Sequence, residues 1–426
     1  MAKYKITNPY ESVTELIRNN NNHYKTNLHT HSTYSDANYT MTEMIEEFYD
    51  QDFDILAMTE HGLLGKEWDK EPTIVPLYLF QNLWHGKRKH PTTEQYHAMV
   101  DGSYKTAENR RTKTRGLQCV PDCIEANMCT IMKNHVNGYF TDDACEGIFG
   151  KENEYETPIM KIEKSGGVSH INHPTDWLQC RKFPDCLENE ENVEFFADLL
   201  RRYKSCLGIE ILNMYDRPNY QDRMLWDKLL KELIPEGERS VWGFANSDAH
   251  RRKEIDTAFM DFILPEYSIK NLRSAMENGT FFSFARYAKN EMGADFVGKG
   301  EIPAVTDITV DDENDTISIS AINCKAIEWV ADGKVIKSET IEKDSTMTSV
   351  ISLNDHSKDI SCYVRAQLKG DGGILMTQPF ICDDGDIARF RKNIPAKKPL
   401  TAKEKMKKHF NETRLGVIVN KIQGKW

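Results

Sequence analysis

The sequence lacks the long apolar runs and regular cysteine spacings that mark membrane proteins and small disulfide scaffolds. It has no run of roughly 18 apolar residues, and its first residues, MAKYKITNPYESVTEL, hold no apolar stretch typical of a signal peptide. The ten cysteines include no CxxC pair of a zinc site, and neither a Walker A nor a GxGxxG segment occurs. We therefore expect a protein of a reducing, cytoplasmic setting with no membrane partner.

Charge is distributed unevenly along the 426 residues. From Arg389 to Trp426 there are twelve Lys or Arg and two Glu, a segment charge of +10. Because the whole chain carries −11, the first 388 residues carry −21. A basic tail of this kind either contacts anionic partners or docks on its own acidic body, and the sequence leaves both open.

The pattern of apolar residues divides the chain into three zones. Strand-like runs alternate with helical patterns up to about residue 295, which predicts parallel strands with helices outside. One predicted helix begins with a capping box at Thr40 and Glu43. Residues 300–385 contain short β-rich segments, with a hairpin signal at Asp332-Gly333, and predict a small Ig-like β-sandwich. Residues 386–426 form the basic tail, with a predicted helix at 401–411.

The segment NLHTHSTYSDAN, residues 27–38, contains two histidines one residue apart. In an extended chain His29 and His31 point to the same side, so they could bind one metal ion, while Asp36 could reach a second ion beyond a turn. A polar surface loop would also explain an isolated pair of this kind.

Metal-ligand residue types recur at the ends of other apolar runs. ILAMT is followed by Glu60 and His61, GGVSHIN by His173, and VWGFAN by Asp248 and His250. Alternating strand–helix barrels build their active sites from the C-terminal ends of several strands, so these side chains are expected to converge.

Histidines are concentrated in the same segments. Seven of the thirteen lie there: His29, His31, His61, His135, His170, His173 and His250. Glu125 precedes His135 by ten residues and could bridge two metals through its two oxygens. Taken alone, a glutamate such as Glu125 is more often a surface residue than a metal ligand.

The order of these motifs resembles the polymerase and histidinol phosphatase (PHP) superfamily over roughly residues 25–285. The motifs are HTHSTYSD, TEHG, the Glu of CIEA, the His before VNGY, a late His-Pro and a final SDAH. The resemblance implies a distorted seven-stranded, TIM-like β/α barrel within residues 1–295 that carries three divalent metal ions. It assigns the first metal to His29, His31, Glu125 and Asp248, the second to Glu125, His135 and His173, and the third to Asp36, His61 and His250.

Some residues depart from the family pattern. Glu60 stands where aspartate is usual in the family. We expect it to orient His61 by a contact on the side of the ring that faces away from the metal. Asp122 occupies a position where the family has glycine, which puts the local turn in doubt. His170 is a rival to His173, which is preferred because it directly precedes proline.

The connection between His61 and Glu125 is long, with 63 residues, and includes an insertion at about 66–118. It contains two basic clusters, Lys87 to Lys89 and Arg110 to Arg115. Either cluster could line a polyanion-binding cleft or be a solvated loop. The second is the better candidate for substrate binding, through Arg110, Arg111 and Arg115.

The expected chemistry follows from the implied ligands. Mixed His and carboxylate ligands suit Zn, Mn or Fe. We expect hydrolysis of a phosphomonoester or phosphodiester by metal-bound hydroxide, with His61, His250 and Asp248 as catalytic residues. The substrate would be a phosphorylated small molecule or a nucleic acid, and the oligomeric state is left open. A metal-dependent amidohydrolase and a non-catalytic scaffold that binds nucleic acid or protein are the alternatives.

Overall fold

The computed structural model describes residues 3–73, 87–126, 134–142, 155–216, 220–237 and 239–392, with single residues at 403, 406, 410 and 419. Most of the expected basic tail and its predicted helix, and part of the insertion, lie outside the described residues.

The strands of the first part of the chain are short and are separated by helices. They are β1 (Lys5–Thr7), β2 (His23–Asn27), β3 (Ile55–Leu56), β4 (Gln118–Cys119), β5 (Cys123–Ala126), β6 (Val136–Tyr139), β7 (Val168–Ile171), β8 (Cys206–Asn213), β9 (Trp242–Asn246), β10 (Ala258–Ile263) and β11 (Phe281–Ala285). The strands of the later part are β12 (Ala304–Asp311), β13 (Thr316–Ala331), β14 (Lys334–Ser352), β15 (Tyr363–Gly370), β16 (Gly373–Met376) and β17 (Phe380–Asp383).

Most of the helices connect strands of the first part. They are α1 (Thr14–Ile17), α2 (Met41–Asp50), α3 (Thr93–Asp101), α4 (Glu156–Lys164), α5 (Pro174–Trp177), α6 (Glu190–Arg202), α7 (Tyr220–Leu233), α8 (Ile269–Asn278) and α9 (Lys289–Met292). The predicted capping box is confirmed at α2, where Thr40 accepts from the Glu43 N–H and Glu43 accepts from the Thr40 N–H. None of the helices among the described residues is long and apolar enough to cross a membrane.

The architecture is mixed α/β, and the strand pairings of the described residues form two sheets. The first includes the parallel set β2, β3 and β4, and the second runs in the order β5-β6-β7-β8-β9. The expectation of parallel strands holds for β7, β8 and β9, whereas β5, β6 and β7 pair antiparallel. Two isolated parallel bridges connect the sheets, Thr30 with Ala249 and His61 with Glu125.

The antiparallel strands β12 to β17 continue the first sheet. Strand β16 pairs with β11, and the N-terminal strand β1 pairs with β17. A single apolar cluster therefore contains Tyr10 and Phe282 together with Trp329 and Phe380. This packing fixes the later strands against the part of the chain that holds the candidate ligands.

Cys180 and Cys186 form a disulfide bond after α5, which the spacing of the cysteines did not predict. Disulfides persist mainly in oxidising settings, so this bond does not favour the expected cytoplasmic location, which stays a prediction.

Stability should depend on pH through His23. Burial acts to lower the pKa of His23, but the Asp261 carboxylate, 2.6 Å from Nδ1, and the Ile17 carbonyl raise it to about 9. A raised folded-state pKa stabilises the fold fully below the unfolded value of 6.5, and this stabilisation is lost as the pH rises through about 9. Between pH 6.5 and about 9, we expect the unfolding free energy of the wild type to fall by roughly 3 kcal/mol. His23→Gln should not show this fall, because it lacks the titrating imidazole. Urea denaturation at several pH values measures this difference, and parallel pH profiles would contradict it.

Candidate metal centre

The two outermost ligand segments are held together by backbone hydrogen bonds. The Asp248 N–H donates to the His29 carbonyl at 3.0 Å, and the His31 N–H donates to the Ala249 carbonyl at 3.1 Å. These bonds extend β2 and β9 beyond their last residues. They place the side chains of His29, His31 and Asp248 at the same end of neighbouring strands.

A second pair of bonds joins the segments around His61 and Glu125. The Gly62 N–H donates to the Glu125 carbonyl at 3.0 Å, and the Glu125 N–H donates to the Glu60 carbonyl at 3.3 Å. Asp122, where the family has glycine, accommodates the turn before β5 with a φ of +52°. Aspartate tolerates this left-handed conformation better than most residues, so the turn survives the substitution.

Glu125 lies at the centre of the cluster and is fully buried. Its Oε1 is 2.9 Å from His135 Nδ1, 3.2 Å from His29 Nε2 and 3.7 Å from His173 Nε2. Its Oε2 is 2.8 Å from His61 Nδ1 and 3.2 Å from His31 Nε2. Five imidazoles therefore surround one carboxylate.

Two aspartates complete the cluster on either side. Asp248 Oδ1 is 3.1 Å from His31 Nε2 and 3.2 Å from His29 Nε2. Asp36 is 3.1 Å from His250 Nε2 and 3.4 Å from His61 Nε2. The structure thus brings together all nine side chains that the motifs singled out as metal ligands.

The grouping of these side chains differs in detail from the one implied by the family. Four overlapping sets have ligand atoms close enough for one ion: His31, Asp36, His61 and His250; His29, His31 and Asp248; His29, Glu125 and His173; and His61, Glu125 and His135. Since the sets share members, they cannot all be filled independently.

The ligand atoms face one another without forming hydrogen bonds. His29 Nε2, His31 Nε2, His61 Nδ1, His135 Nδ1 and Glu125 Oε2 are buried and have no hydrogen-bond partner. Unpaired buried polar atoms are costly, and several converging at 2.8–3.7 Å are what divalent cations require. The residues present therefore fit the binding of divalent metal.

The electrostatics of the cluster lead to the same conclusion. Burial would lower the pKa of His29, but Asp248, Glu125 and Glu210 raise it well above its ordinary value. Burial would raise the pKa of Glu125, yet the surrounding imidazoles hold it well below its usual range. The carboxylates thus favour positive charge on their neighbours, and metal ions would displace protons from the imidazoles on binding.

Backbone strain is located at two of the ligands. His173 has a φ of +26° and Asp248 a φ of +46°, in a region that non-glycine residues rarely adopt. Each such residue costs on the order of 1–3 kcal/mol, and strain of this kind concentrates at functional sites.

Glu210 in β8 is a buried member of the site that the sequence analysis missed. Its carboxylate accepts from His29 Nδ1 at 3.0 Å, from Asn213 Nδ2 at 2.9 Å and from Asn246 Nδ2 at 3.1 Å. With Nδ1 of His29 engaged in this way, Nε2 faces the cluster. The signal in the sequence was a single charged residue inside the apolar run GIEILN.

We expect Glu210→Gln to weaken metal binding by about 10- to 100-fold without unfolding the protein, because His29 loses the carboxylate that fixes its tautomer. Competition with a metal-binding dye measures this affinity. Glu190→Gln, which removes an exposed carboxylate from α6, is the matched control. Equal affinities in the two variants would show that Glu210 does not position His29.

Glu60 contacts the HTHSTYSD segment rather than His61. It accepts hydrogen bonds from the hydroxyl groups of Ser32 and Ser35, and from the Ser32 N–H at 3.1 Å. Ser35 Oγ in turn lies 3.3 Å from His31 Nδ1. Glu60 therefore acts on His31 through Ser35, and its expected contact with His61 is not found.

His170 is buried but lies apart from the ligand sets of the described residues. Its ring stacks on Phe244 with centroids 4.3 Å apart, and burial lowers its pKa to about 3. His173 belongs to a set with Glu125.

The structure does not bring Arg110, Arg111 and Arg115 to the ligand cluster. Arg110 pairs with Glu47 on α2 at 2.6 Å, and Arg111 donates to the carbonyl groups of Tyr49 and Phe53. Arg115 donates to the His23 carbonyl at 3.0 Å, at the N-terminal end of β2. All three lie near the strand ends opposite the ligands, because the insertion returns to the start of β4.

No protein-family model and no curated protein matches the sequence. One similar solved structure is a two-domain protein from Bacteroides vulgatus described as containing a predicted PHP-like metal-dependent phosphoesterase. It is 14% identical, with a TM-score of 0.43, over 88% of this chain and 96% of that one.

A second similar structure is the lesion-specific endonuclease PfuEndoQ from Pyrococcus furiosus. It is 15% identical, with a TM-score of 0.33, over 60% of this chain and 56% of the endonuclease. Similarities this distant do not transfer an activity. The chain resembles the PHP superfamily in the order of its motifs.

Proposed function

We propose that the protein is a metal-dependent phosphoesterase of the PHP type. The observation that carries the proposal is the convergence of nine His, Asp and Glu side chains, several with unpaired buried ligand atoms, around the central Glu125. Divalent ions held there would activate water near neutral pH and neutralise the charge of a phosphoester.

The open side of the cluster indicates where a substrate would enter. The Asp36 side chain is 42% exposed and that of His250 is 26% exposed, whereas those of His29 and Glu125 are fully buried. His250 Nδ1 lies 2.9 Å from the Asp248 carbonyl, which directs Nε2 toward Asp36. We therefore place the leaving group beside His250 and His61, with Asp248 as a ligand behind them.

We also propose that strands β2, β3 and β5 to β9 enclose the site as a distorted seven-stranded barrel. Support comes from two bridges between the sheets, Thr30 with Ala249 and His61 with Glu125. They connect the segments after β2 and β3 to the two edges of the second sheet, at β9 and β5. Ligands on four of these strand ends would then face one opening.

A panel of substrates tests the activity. Protein loaded with Zn, Mn or Fe is incubated with p-nitrophenyl phosphate, bis-p-nitrophenyl phosphate and an acyl p-nitroanilide. We expect release of nitrophenol from a phosphoester, sensitivity to a chelator and no cleavage of the anilide. Cleavage of the anilide alone would support the amidohydrolase alternative, and no cleavage with any metal would support the scaffold.

A further inference from the structure

A cavity of about 590 Å³ lies beside the metal centre and is not part of it. Its lining includes Arg251, Lys253, Lys289, Tyr215 and Tyr287. None of these residues was singled out by the sequence motifs. Its volume lies within the range of small-molecule binding sites.

The cavity and the metal centre are built from the same chain segments. Arg251 directly follows the ligand His250, and Glu254, which also lines the cavity, accepts from the His250 N–H at 3.0 Å. Tyr215 follows Asn213 by two residues, and Asn213 Nδ2 lies 3.3 Å from Asp248 Oδ2. A molecule bound in the cavity would therefore lie next to the cluster of candidate metal-binding side chains.

Strand β11 leads into the cavity from the same face. It pairs antiparallel with β10, which itself pairs antiparallel with β2, so β11 runs parallel to β2. Its C-terminal end therefore lies on the side of the sheet where β2 leads to His29 and His31. Tyr287 and Lys289 follow directly after this end.

The charged residues that line the cavity favour the binding of an anion. Within the part of the chain that the structure describes, no ion pair involves the charged ends of Arg251, Lys253 or Lys289. By contrast, the nearby Arg223 and Arg286 are each paired with a carboxylate. Two carboxylates also line the cavity, but Glu254 is buried against the His250 N–H, and Asp295 is exposed at the rim.

The aromatic side chains offer a surface for a flat ring. Tyr215 and Tyr287 are half-buried and perpendicular, with ring centroids 5.1 Å apart and an interplanar angle of 84°. Phe296 lines the same cavity. Aromatic side chains next to cations are the combination that binds a base together with its phosphate groups.

We propose that this cavity binds the part of the substrate that is not cleaved, and that the substrate is a nucleotide carrying an anionic group besides the reacting phosphate. This inference rests on the proposed phosphoesterase function. Arg251, Lys253 and Lys289 bind the second anionic group, and Tyr215 and Tyr287 contact the base. The positively charged side chains that bind the substrate thus come from the segments after β9 and β11 rather than from the insertion.

Binding of α,β-methylene adenosine diphosphate to the metal-loaded protein tests the proposal by calorimetry. The carbon bridge prevents cleavage between the two phosphates, and chromatography of the titrated mixture checks that the remaining ester bond to the ribose stays intact. We expect the double variant Arg251→Ala/Lys253→Ala to bind roughly tenfold or more weakly, since each cation offers charge-assisted hydrogen bonds. Tyr287→Leu should bind several-fold more weakly through loss of ring contact.

Lys270→Ala is the control, because Lys270 is an exposed lysine on α8 outside the cavity. Unchanged binding in the double variant, or wild-type protein that does not bind the nucleotide at millimolar concentration, would overturn the proposal. Tyr287→Leu with wild-type affinity would overturn the placement of the base.

The two proposals fail separately. If the wild type cleaves p-nitrophenyl phosphate but the cavity variants bind the nucleotide as tightly as the wild type, only the cavity assignment is wrong. If binding weakens in the variants but the wild type cleaves no phosphoester, the cavity binds the nucleotide, but the phosphoesterase function and the assignment of the nucleotide as its substrate are wrong.

Discussion

Replacing Glu125 with glutamine is expected to reduce phosphoester turnover by on the order of 10³-fold or more, about 4 kcal/mol of activation free energy. The side chain is fully buried, and its oxygens lie within 3.7 Å of five histidine nitrogens. Glutamine keeps the shape but removes the negative charge and leaves one oxygen for the two candidate ligand sets to which Glu125 belongs. Steady-state kinetics in each metal measures the loss, and metal content should fall with it.

The control for this substitution is Glu266→Gln, which removes the same charge from an exposed position far from the ligands. It should keep wild-type turnover and metal content. Circular dichroism shows whether Glu125→Gln remains folded. A folded Glu125→Gln protein with wild-type turnover would mean that the buried carboxylate is not part of the reaction site.

Replacing Asp227 with alanine is expected to cost about 3–5 kcal/mol of unfolding free energy, because it breaks a buried ion pair. Asp227 on α7 accepts from Arg365 Nε at 2.9 Å, from Arg365 Nη2 at 2.8 Å and from the Tyr363 hydroxyl at 2.7 Å. All three side chains are buried. The substitution would leave the Arg365 guanidinium buried without its counter-charge, at the contact between α7 and β15.

A double-mutant cycle separates the loss of the ion pair from the cost of leaving the Arg365 charge buried without a partner. Asp227→Ala combined with Arg365→Met should be less destabilised than Asp227→Ala alone, because no uncompensated charge remains. Glu15→Ala, which breaks an exposed pair with Arg18, should change stability by less than about 1 kcal/mol. A loss below this level for Asp227→Ala in urea denaturation would contradict the role of the buried pair.

The positions of several candidate ligands could be predicted because they follow apolar strands. His61, His173 and Asp248 all come at the end of such a run, and ends of neighbouring strands meet at one edge. Glu210 could not be placed this way, since it lies within a strand and its partner His29 is 181 residues away. Its charge in an apolar run was the available signal.

The basic residues show the limit of the same approach. Arg110, Arg111 and Arg115 form a dense cluster in the sequence, which suggested substrate binding, but they bond to α2 and to the start of β2. Arg251, Arg252 and Lys253 form an equally dense run that the motifs did not single out, and two of them, Arg251 and Lys253, line a cavity beside His250. Density of charge along the chain does not reveal which end of a strand the side chains reach.

The most direct test of the proposed metal centre is the metal content of the purified and reconstituted protein by elemental analysis, with Asp248→Ala and His173→Ala measured alongside. We expect about two to three equivalents of Zn, Mn or Fe in the wild type and fewer in both variants, because each substitution removes a member of a candidate ligand set. Wild-type protein that takes up none of these metals would contradict the metal centre and the phosphoesterase function built on it.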